Sequence, residues 1–146
     1  MKLFKNALIY DGTGIEAFKG DILVENDKIV QVKDGIQAED GWEVVDLEGL
    51  SVSPGFIDAH SHNDWFAIKN NPQKYFEPFI RQGITSFVTG NCGLSAIGFE
   101  SESQHVDKIG GGLFSYADTT GKYPTVSEFF SAIDRNTPCN IAVLAG

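Results

Sequence analysis

The stretch Pro-Gly-Phe-Ile-Asp-Ala-His-Ser-His at residues 54–62 decides how the rest of the sequence is interpreted. A Pro-Gly turn pair precedes apolar residues typical of a buried strand, and the stretch ends in Asp-x-His-x-His. Because successive side chains of a strand alternate between faces, Asp58, His60 and His62 are expected to share one face. The two imidazoles would then lie roughly 6.7 Å apart along the strand. Neutral imidazole is a common zinc ligand, so His60 and His62 are candidate ligands of a divalent metal.

The sequence changes character at this stretch. Residues 1–53 are predicted to form β-structure, with strands at 2–10 and 43–47 and a hairpin over 21–32 that turns at Asn-Asp. From residue 54 onward strand patterns alternate with helical ones, which is typical of parallel β/α units. Two domains are therefore predicted, an N-terminal β portion at 1–53 and a β/α portion at 54–146.

The β/α portion is predicted to contain three strands and two helices. They are expected, in chain order, at residues 56–60, 72–81, 85–89, 125–136 and 140–145. The second helix begins with Thr-Val-Ser-Glu, a capping box, whereas Pro78 is expected to kink the first helix or split it in two. The long polar segment 95–124 is predicted to be an active-site loop or a mobile segment, and its His105 is given no role.

Cys92 follows the second predicted strand of this portion, within Gly-Asn-Cys-Gly at residues 90–93. In α/β barrels the reactive side chains come from the carboxyl ends of strands, and neighbouring strands lie about 4.8 Å apart. A thiolate is a strong zinc ligand, so Cys92 is placed to share an ion with the two histidines. The alternative is a small cysteine that only packs, and sequence context alone leaves both interpretations open. Cys139 is interpreted as structural.

Three polar residues beside the histidines have more than one interpretation. Asp58 either orients an imidazole from behind the metal ligands or is a buried carboxylate satisfied by backbone or hydroxyl donors. Asn63 and Asp64 either contact a substrate or cap a turn, and the second interpretation is favoured.

These motifs resemble those of the metal-dependent amidohydrolase superfamily, whose members open their barrel with Pro-Gly-Phe-Ile-Asp-x-His-x-His. The resemblance covers nearly the whole chain, including the leader at 7–14, the hairpin at 21–32 and the run at 44–50. The stretch from Gln-Gly-Ile-Thr at 82–85 to Gly-Asn-Cys-Gly at 90–93 looks like the D-aminoacylase (N-acyl-D-amino-acid deacylase) branch.

The resemblance implies an α/β fold in which part of a small β-sandwich precedes the first three strands of an incomplete TIM-like hydrolase barrel. It implies a zinc centre of one or two divalent ions, in which Cys92 joins His60 and His62. It also implies hydrolysis of N-acyl-D-amino acids to a carboxylate and a D-amino acid.

A complete barrel takes about 250 residues, so the chain is expected to be an N-terminal fragment. The resemblance places the general-base aspartate and further histidines beyond Gly146. We therefore expect no catalytic residue within this chain and no useful turnover by the fragment alone.

Two other functions remain open. One is a cyclic amidohydrolase of the hydantoinase or dihydroorotase kind, which shares the His-x-His strand but does not look similar around residues 91–93. The other is a non-catalytic metal-binding or assembly module, in which unpaired strand edges of the fragment associate with one another.

Charge and composition argue against several classes of partner. Twenty acidic against eleven basic residues give a net charge of −9, which repels nucleic acid and anionic membranes. No run reaches the ~18 apolar residues of a membrane span, and the N-terminus shows no signal-peptide pattern. The two cysteines do not suggest a disulfide framework, so a cytoplasmic location is expected. The expected partner is a small-molecule N-acyl-D-amino acid.

Overall fold

The computed structural model describes residues 1–100, 102–103 and 123–144. The chain forms two compact units, Met1–Pro54 and Gly55–Gly146. Most of the predicted long segment, His105 included, and the end of the third predicted β/α strand lie outside the described residues. None of the described helices is long and apolar enough to cross a membrane.

The first unit is a five-stranded mixed sheet. Its strands are β1 (Lys2–Ile9), β2 (Phe18–Glu25), β3 (Lys28–Lys33), β4 (Glu43–Asp46) and β5 (Ser51–Val52). The order is β3-β2-β1-β4, with β1 antiparallel to β2 and parallel to both β4 and β5. β2 and β3 form the predicted hairpin, and Asn26 at its turn has a φ of 54°, a left-handed conformation that Asn tolerates.

A buried carboxylate helps to hold this first sheet together. Asp21 on β2 is 2% exposed, and its two oxygens accept hydrogen bonds from the backbone N–H groups of Asn6 and Ile36, both at 2.9 Å. Because each oxygen has a donor, the buried charge is compensated. Asp21 therefore connects β1 to the segment that follows β3.

The second unit is built on a parallel sheet of three strands. They are β6 (Phe56–Asp58), β7 (Ile84–Thr89) and β8 (Asn140–Val143), in the order β6-β7-β8. The helices are α1 (Asp64–Ala67), α2 (Pro72–Ile80) and α3 (Val126–Ile133), and a 3₁₀ turn spans Asn91–Gly93. This alternation of strand and helix is the predicted β/α pattern.

Aromatic side chains form the core of the second unit. Phe76 of α2, Phe87 of β7 and Phe129 of α3 are each at most 1% exposed and belong to one apolar cluster with Trp65 of α1. The rings of Phe76 and Phe87 meet edge to face, with centroids 5.4 Å apart, a favourable arrangement for aromatic pairs. The helices are thereby packed onto the parallel sheet.

One predicted strand is shorter in the structure, and one predicted helix is continuous. The strand predicted at 56–60 ends at Asp58, so the expectation that His60 and His62 project from one face of a strand is wrong. The chain turns there because the Asp58 carboxylate accepts the His60 backbone N–H at 3.1 Å. α2 is one helix that includes Pro78 near its end, so the alternative of two pieces is wrong, and a kink at Pro78 stays a prediction. Because proline has no backbone N–H, Pro78 removes the one helical bond that would run to the carbonyl of Lys74.

Thr125 caps α3 through the predicted capping box. Its hydroxyl accepts the Glu128 backbone N–H at 3.2 Å, and the Glu128 carboxylate accepts the Thr125 N–H at 3.0 Å.

We expect Thr125→Ala to lower the free energy of unfolding by about 1 kcal/mol in urea denaturation, because the Glu128 N–H loses its acceptor. Ser127→Ala, at an exposed position of the same helix, should change it by less than about 0.5 kcal/mol. Equal losses in both variants would contradict the capping assignment.

Candidate metal centre

The candidate ligands come from the ends of two neighbouring strands. His60 and His62 lie in the loop that follows β6, and Cys92 lies in the 3₁₀ turn that follows β7. β6 and β7 are parallel and paired, with Asp58 opposite Phe87, so both loops leave the sheet at the same edge. The histidines and the cysteine therefore meet although they are thirty residues apart in sequence.

One separation within this group matches the ligand spacing around zinc. The Nε2 atom of His60 lies 3.5 Å from the Sγ atom of Cys92, and one ligand atom from each of His60, His62 and Cys92 lies within 4.8 Å of the others. Tetrahedral zinc with bonds of about 2.0 Å to nitrogen and 2.3 Å to sulfur sets its ligands roughly 3.3 to 3.6 Å apart. The His60–Cys92 pair already has this spacing. His60 and Cys92 are exposed and His62 is half-buried, so the group opens to solvent.

The ring of His62 is oriented by a contact with the segment that follows Cys92. Its Nδ1 atom lies 3.3 Å from the carbonyl oxygen of Leu94, two residues after Cys92. An imidazole that donates from Nδ1 carries its acceptor lone pair on Nε2, the atom with which it can bind a metal. A hydrogen bond to the Leu94 carbonyl requires the proton on Nδ1, which is the tautomer that leaves Nε2 to bind a metal.

Cys92 has a strained backbone conformation. Its φ of 60° is left-handed, and the neighbouring glycines at 90 and 93 have φ values of 78° and 69°. For a residue with a side chain this conformation costs about 1–2 kcal/mol. A Cβ at Gly90 would collide with the carbonyl of Leu144. Both glycines of the Gly-Asn-Cys-Gly motif thus serve the turn that presents the thiol.

Hydrogen bonds from Asn91 hold this turn in place. Its side-chain amide donates to the carbonyl oxygens of Ser61, at 3.3 Å, and Val88, at 3.0 Å. Ser61 stands between the two histidines, and Val88 lies on β7. Asn91 therefore connects the cysteine turn both to its own strand and to the histidine loop.

The three polar residues beside the histidines differ in what they contact. The contact recorded for Asp58 is with the backbone N–H of His60, and its orientation of an imidazole stays a prediction. Asn63 is the N-cap residue of α1 but makes no capping bond with its side chain. Its carbonyl accepts the N–H groups of Phe66 and Ala67, so Asn63 caps this turn through its backbone alone. Asp64 is fully buried and bonds to Thr89 and to the N–H of Ala96, so its interpretation as a turn cap is wrong. No local sequence motif predicts these contacts, because the bonded residues are far apart in the sequence.

The two thiols have different environments, and this predicts different reactivity. Cys92 is exposed, whereas Cys139 is 8% exposed and burial raises the pKa of its thiol. Because the thiolate is the nucleophile, a raised pKa reduces the reactive fraction of Cys139 at pH 8.

We expect a disulfide reagent to label the thiol of Cys92 rapidly and zinc to slow that labelling. The variant Cys92→Ala should abolish the rapid phase. Two rapid thiols, or a rapid phase that survives Cys92→Ala, would contradict the assignment.

Comparison with known proteins gives relatives that include several N-acyl-D-amino-acid deacylases, although no family model matches the chain. It is 41% identical over 93 residues to an N-acyl-D-aspartate deacylase of Alcaligenes xylosoxydans xylosoxydans, a match covering 64% of this chain and 18% of the relative. The structure of a D-aminoacylase with a binuclear metal center superposes on this chain with a TM-score of 0.76 at 27% identity. A Bordetella bronchiseptica N-acyl-D-glutamate deacylase complexed with zinc and a phosphonate inhibitor gives 0.74 at 28%.

The two structural matches cover 99% of this chain and 29% of the solved chains, so the chain spans less than a third of these proteins. The agreement of sequence and fold confirms the resemblance that the motifs predicted. Over the length that it spans, this chain is homologous to metal-dependent amidohydrolases of the D-aminoacylase branch.

Proposed function

We propose that this chain supplies part of the metal centre of a zinc-dependent amidohydrolase, with His60, His62 and Cys92 as ligands of one or two divalent ions. The observation that carries the proposal is the meeting of their three ligand atoms within 4.8 Å at the edge of a parallel sheet. Two neutral imidazoles and one thiolate form a donor set that zinc prefers. The zinc complex of the Bordetella bronchiseptica deacylase supports the choice of metal.

We propose further that β6, β7 and β8 are the first three strands of a TIM-like hydrolase barrel. In support, they are parallel, adjacent in sequence order and separated by helices. The first unit would then be part of a small β-sandwich, and the domain boundary would fall between residues 53 and 54. The TM-score of 0.76 with D-aminoacylase favours this assignment.

The proposed reaction is hydrolysis of the amide bond of N-acyl-D-amino acids to a carboxylate and a free D-amino acid. Zinc, when bound, polarises the amide carbonyl and activates a water molecule. The residues of this chain would hold the metal: Cys92 would bind it as a thiolate, and a hydrogen bond from Nδ1 of His62 to the Leu94 carbonyl would leave Nε2 to bind it. We assign no catalytic residue to residues 1–146, and propose that the general-base aspartate comes from outside them. These residues alone should then show no useful turnover.

The substrate class is supported by the relatives. N-acyl-D-aspartate deacylase and D-aminoacylase, at 41% and 37% identity, both carry names that place a D-amino acid in the reaction. Exposure of His60 and Cys92 leaves an open side from which a small molecule can approach the proposed metal.

The test is metal content and hydrolysis in the protein at its full encoded length. Cys92→Ala should lose most of its bound zinc in elemental analysis and at least about 100-fold in the release of D-amino acid from an N-acetyl-D-amino acid, because a ligand is removed. Cys139→Ala removes the same thiol from a buried position away from the group and should keep both properties. Retained zinc and rate in Cys92→Ala would remove Cys92 from the site.

The same assay separates the rival functions. N-acetyl-L-amino acids serve as the stereochemical control and should be hydrolysed slowly. Turnover of hydantoin or dihydroorotate in place of the linear amides would indicate a cyclic amidohydrolase. Zinc bound through Cys92 without hydrolysis of either class would indicate a non-catalytic metal-binding module.

A further inference from the structure

We propose that Asp64 and Thr89 form a positioning pair that holds Cys92 at ligand distance from His60. The inference rests on the proposed zinc centre and concerns two residues that are not among its three candidate ligands. Both side chains are 0% exposed, and both lie close in sequence to a proposed ligand. Asp64 comes two residues after His62, and Thr89 comes three residues before Cys92.

Asp64 and Thr89 are bonded to each other twice. The backbone N–H of Asp64 donates to the Thr89 hydroxyl oxygen at 3.3 Å, and that hydroxyl donates to Oδ1 of Asp64. This closed pair connects the first residue of α1 to the last residue of β7. It therefore fixes the histidine loop relative to the strand from which the cysteine turn begins.

The second carboxylate oxygen of Asp64 accepts a hydrogen bond from the segment that follows the cysteine turn. Oδ2 accepts the backbone N–H of Ala96 at 2.6 Å, and Ala96 lies four residues after Cys92. One buried carboxylate thus holds the chain on both sides of Cys92. A shift of either Thr89 or Ala96 relative to Asp64 would change the distance from Sγ of Cys92 to Nε2 of His60, which is 3.5 Å.

The cysteine turn needs such support from outside. It is three residues long, Cys92 is exposed, and its backbone is left-handed, so the turn would relax if its ends were released. The Leu94 carbonyl that orients His62 lies within the same held segment. The pair is therefore placed to control both the position of the thiol and the orientation of one imidazole.

Asp21 is a second buried carboxylate of this chain, and it lies away from the proposed metal ligands in sequence. It is also buried, and its oxygens also accept two backbone N–H groups, from Asn6 and Ile36. No proposed ligand lies beside those partners. The partners of Asp64 instead flank Cys92, so weakening the pair should alter metal binding in addition to stability.

The main test is Thr89→Val in the protein at its full encoded length. Valine keeps the shape of the side chain but removes both the donor to Asp64 and the acceptor of its N–H. We expect zinc affinity, measured by competition with a chelator, to fall about 10–100-fold. In the cobalt-substituted protein the thiolate-to-metal charge-transfer band should weaken or shift. Thr89→Ser keeps the hydroxyl and should restore both properties to near the wild-type values.

Two further variants separate positioning from folding. Thr85→Val makes the same change at an exposed position of the same strand and should leave affinity and spectrum unchanged. Asp64→Asn keeps the size of the side chain and should weaken zinc binding in the same direction, which tests the pair if Thr89→Val does not fold. A folded Thr89→Val protein with wild-type affinity and band would overturn the inference.

A metal-free measurement distinguishes failure of this inference from failure of the zinc centre. Hydrogen exchange at the Ala96 amide and alkylation of Cys92 should both be several-fold faster in Thr89→Val than in wild type or Thr89→Ser. Unchanged rates would overturn the positioning pair even if the wild type binds zinc through Cys92. If wild type and Cys92→Ala give the same cobalt spectrum, the proposed centre fails, and with it the role given to the pair.

Discussion

The parallel pairing of β6 with β7 is the constraint on which the site depends. It places Asp58 opposite Phe87, so the loop with the two histidines and the turn with the cysteine leave the sheet at one edge. The packing of Phe76 and Phe129 around Phe87 stabilises this sheet from its helical side. If β7 slipped by one residue, its apolar residues would move to the opposite face and the cysteine turn would be displaced.

The group of three candidate ligands combines local strain with external support. Cys92 has a left-handed backbone, and Gly90 and Gly93 make the turn around it sterically feasible. Hydrogen bonds from Asn91, and from Ala96 to Asp64, connect the turn to the histidine loop. Strained positions persist where the surrounding structure determines them, and they occur often at functional sites. The arrangement is therefore what a preorganised metal centre requires.

Much of the fold follows from sequence patterns, and the rest depends on contacts between distant residues. The hairpin of β2 and β3, the capping box of α3 and the β/α alternation are each encoded by short local signals. The nearness of Cys92 to the histidines followed from general rules for parallel strands. The end of β6 at Asp58 did not, because one hydrogen bond to the His60 N–H turns the chain there. Asp64 was interpreted as a turn cap, and its bonds to Thr89 and Ala96 were not predicted because those partners lie 25 and 32 residues away.

The central claim is that zinc binds through the sulfur of Cys92 together with the imidazoles. X-ray absorption spectroscopy of the zinc-loaded protein tests it most directly, because it reports the ligand atoms around the metal. The account predicts one sulfur neighbour at about 2.3 Å beside nitrogen or oxygen neighbours at about 2.0–2.1 Å. That sulfur should vanish in Cys92→Ala and persist in Cys139→Ala. A zinc shell of nitrogen and oxygen alone in the unmodified protein would contradict the account.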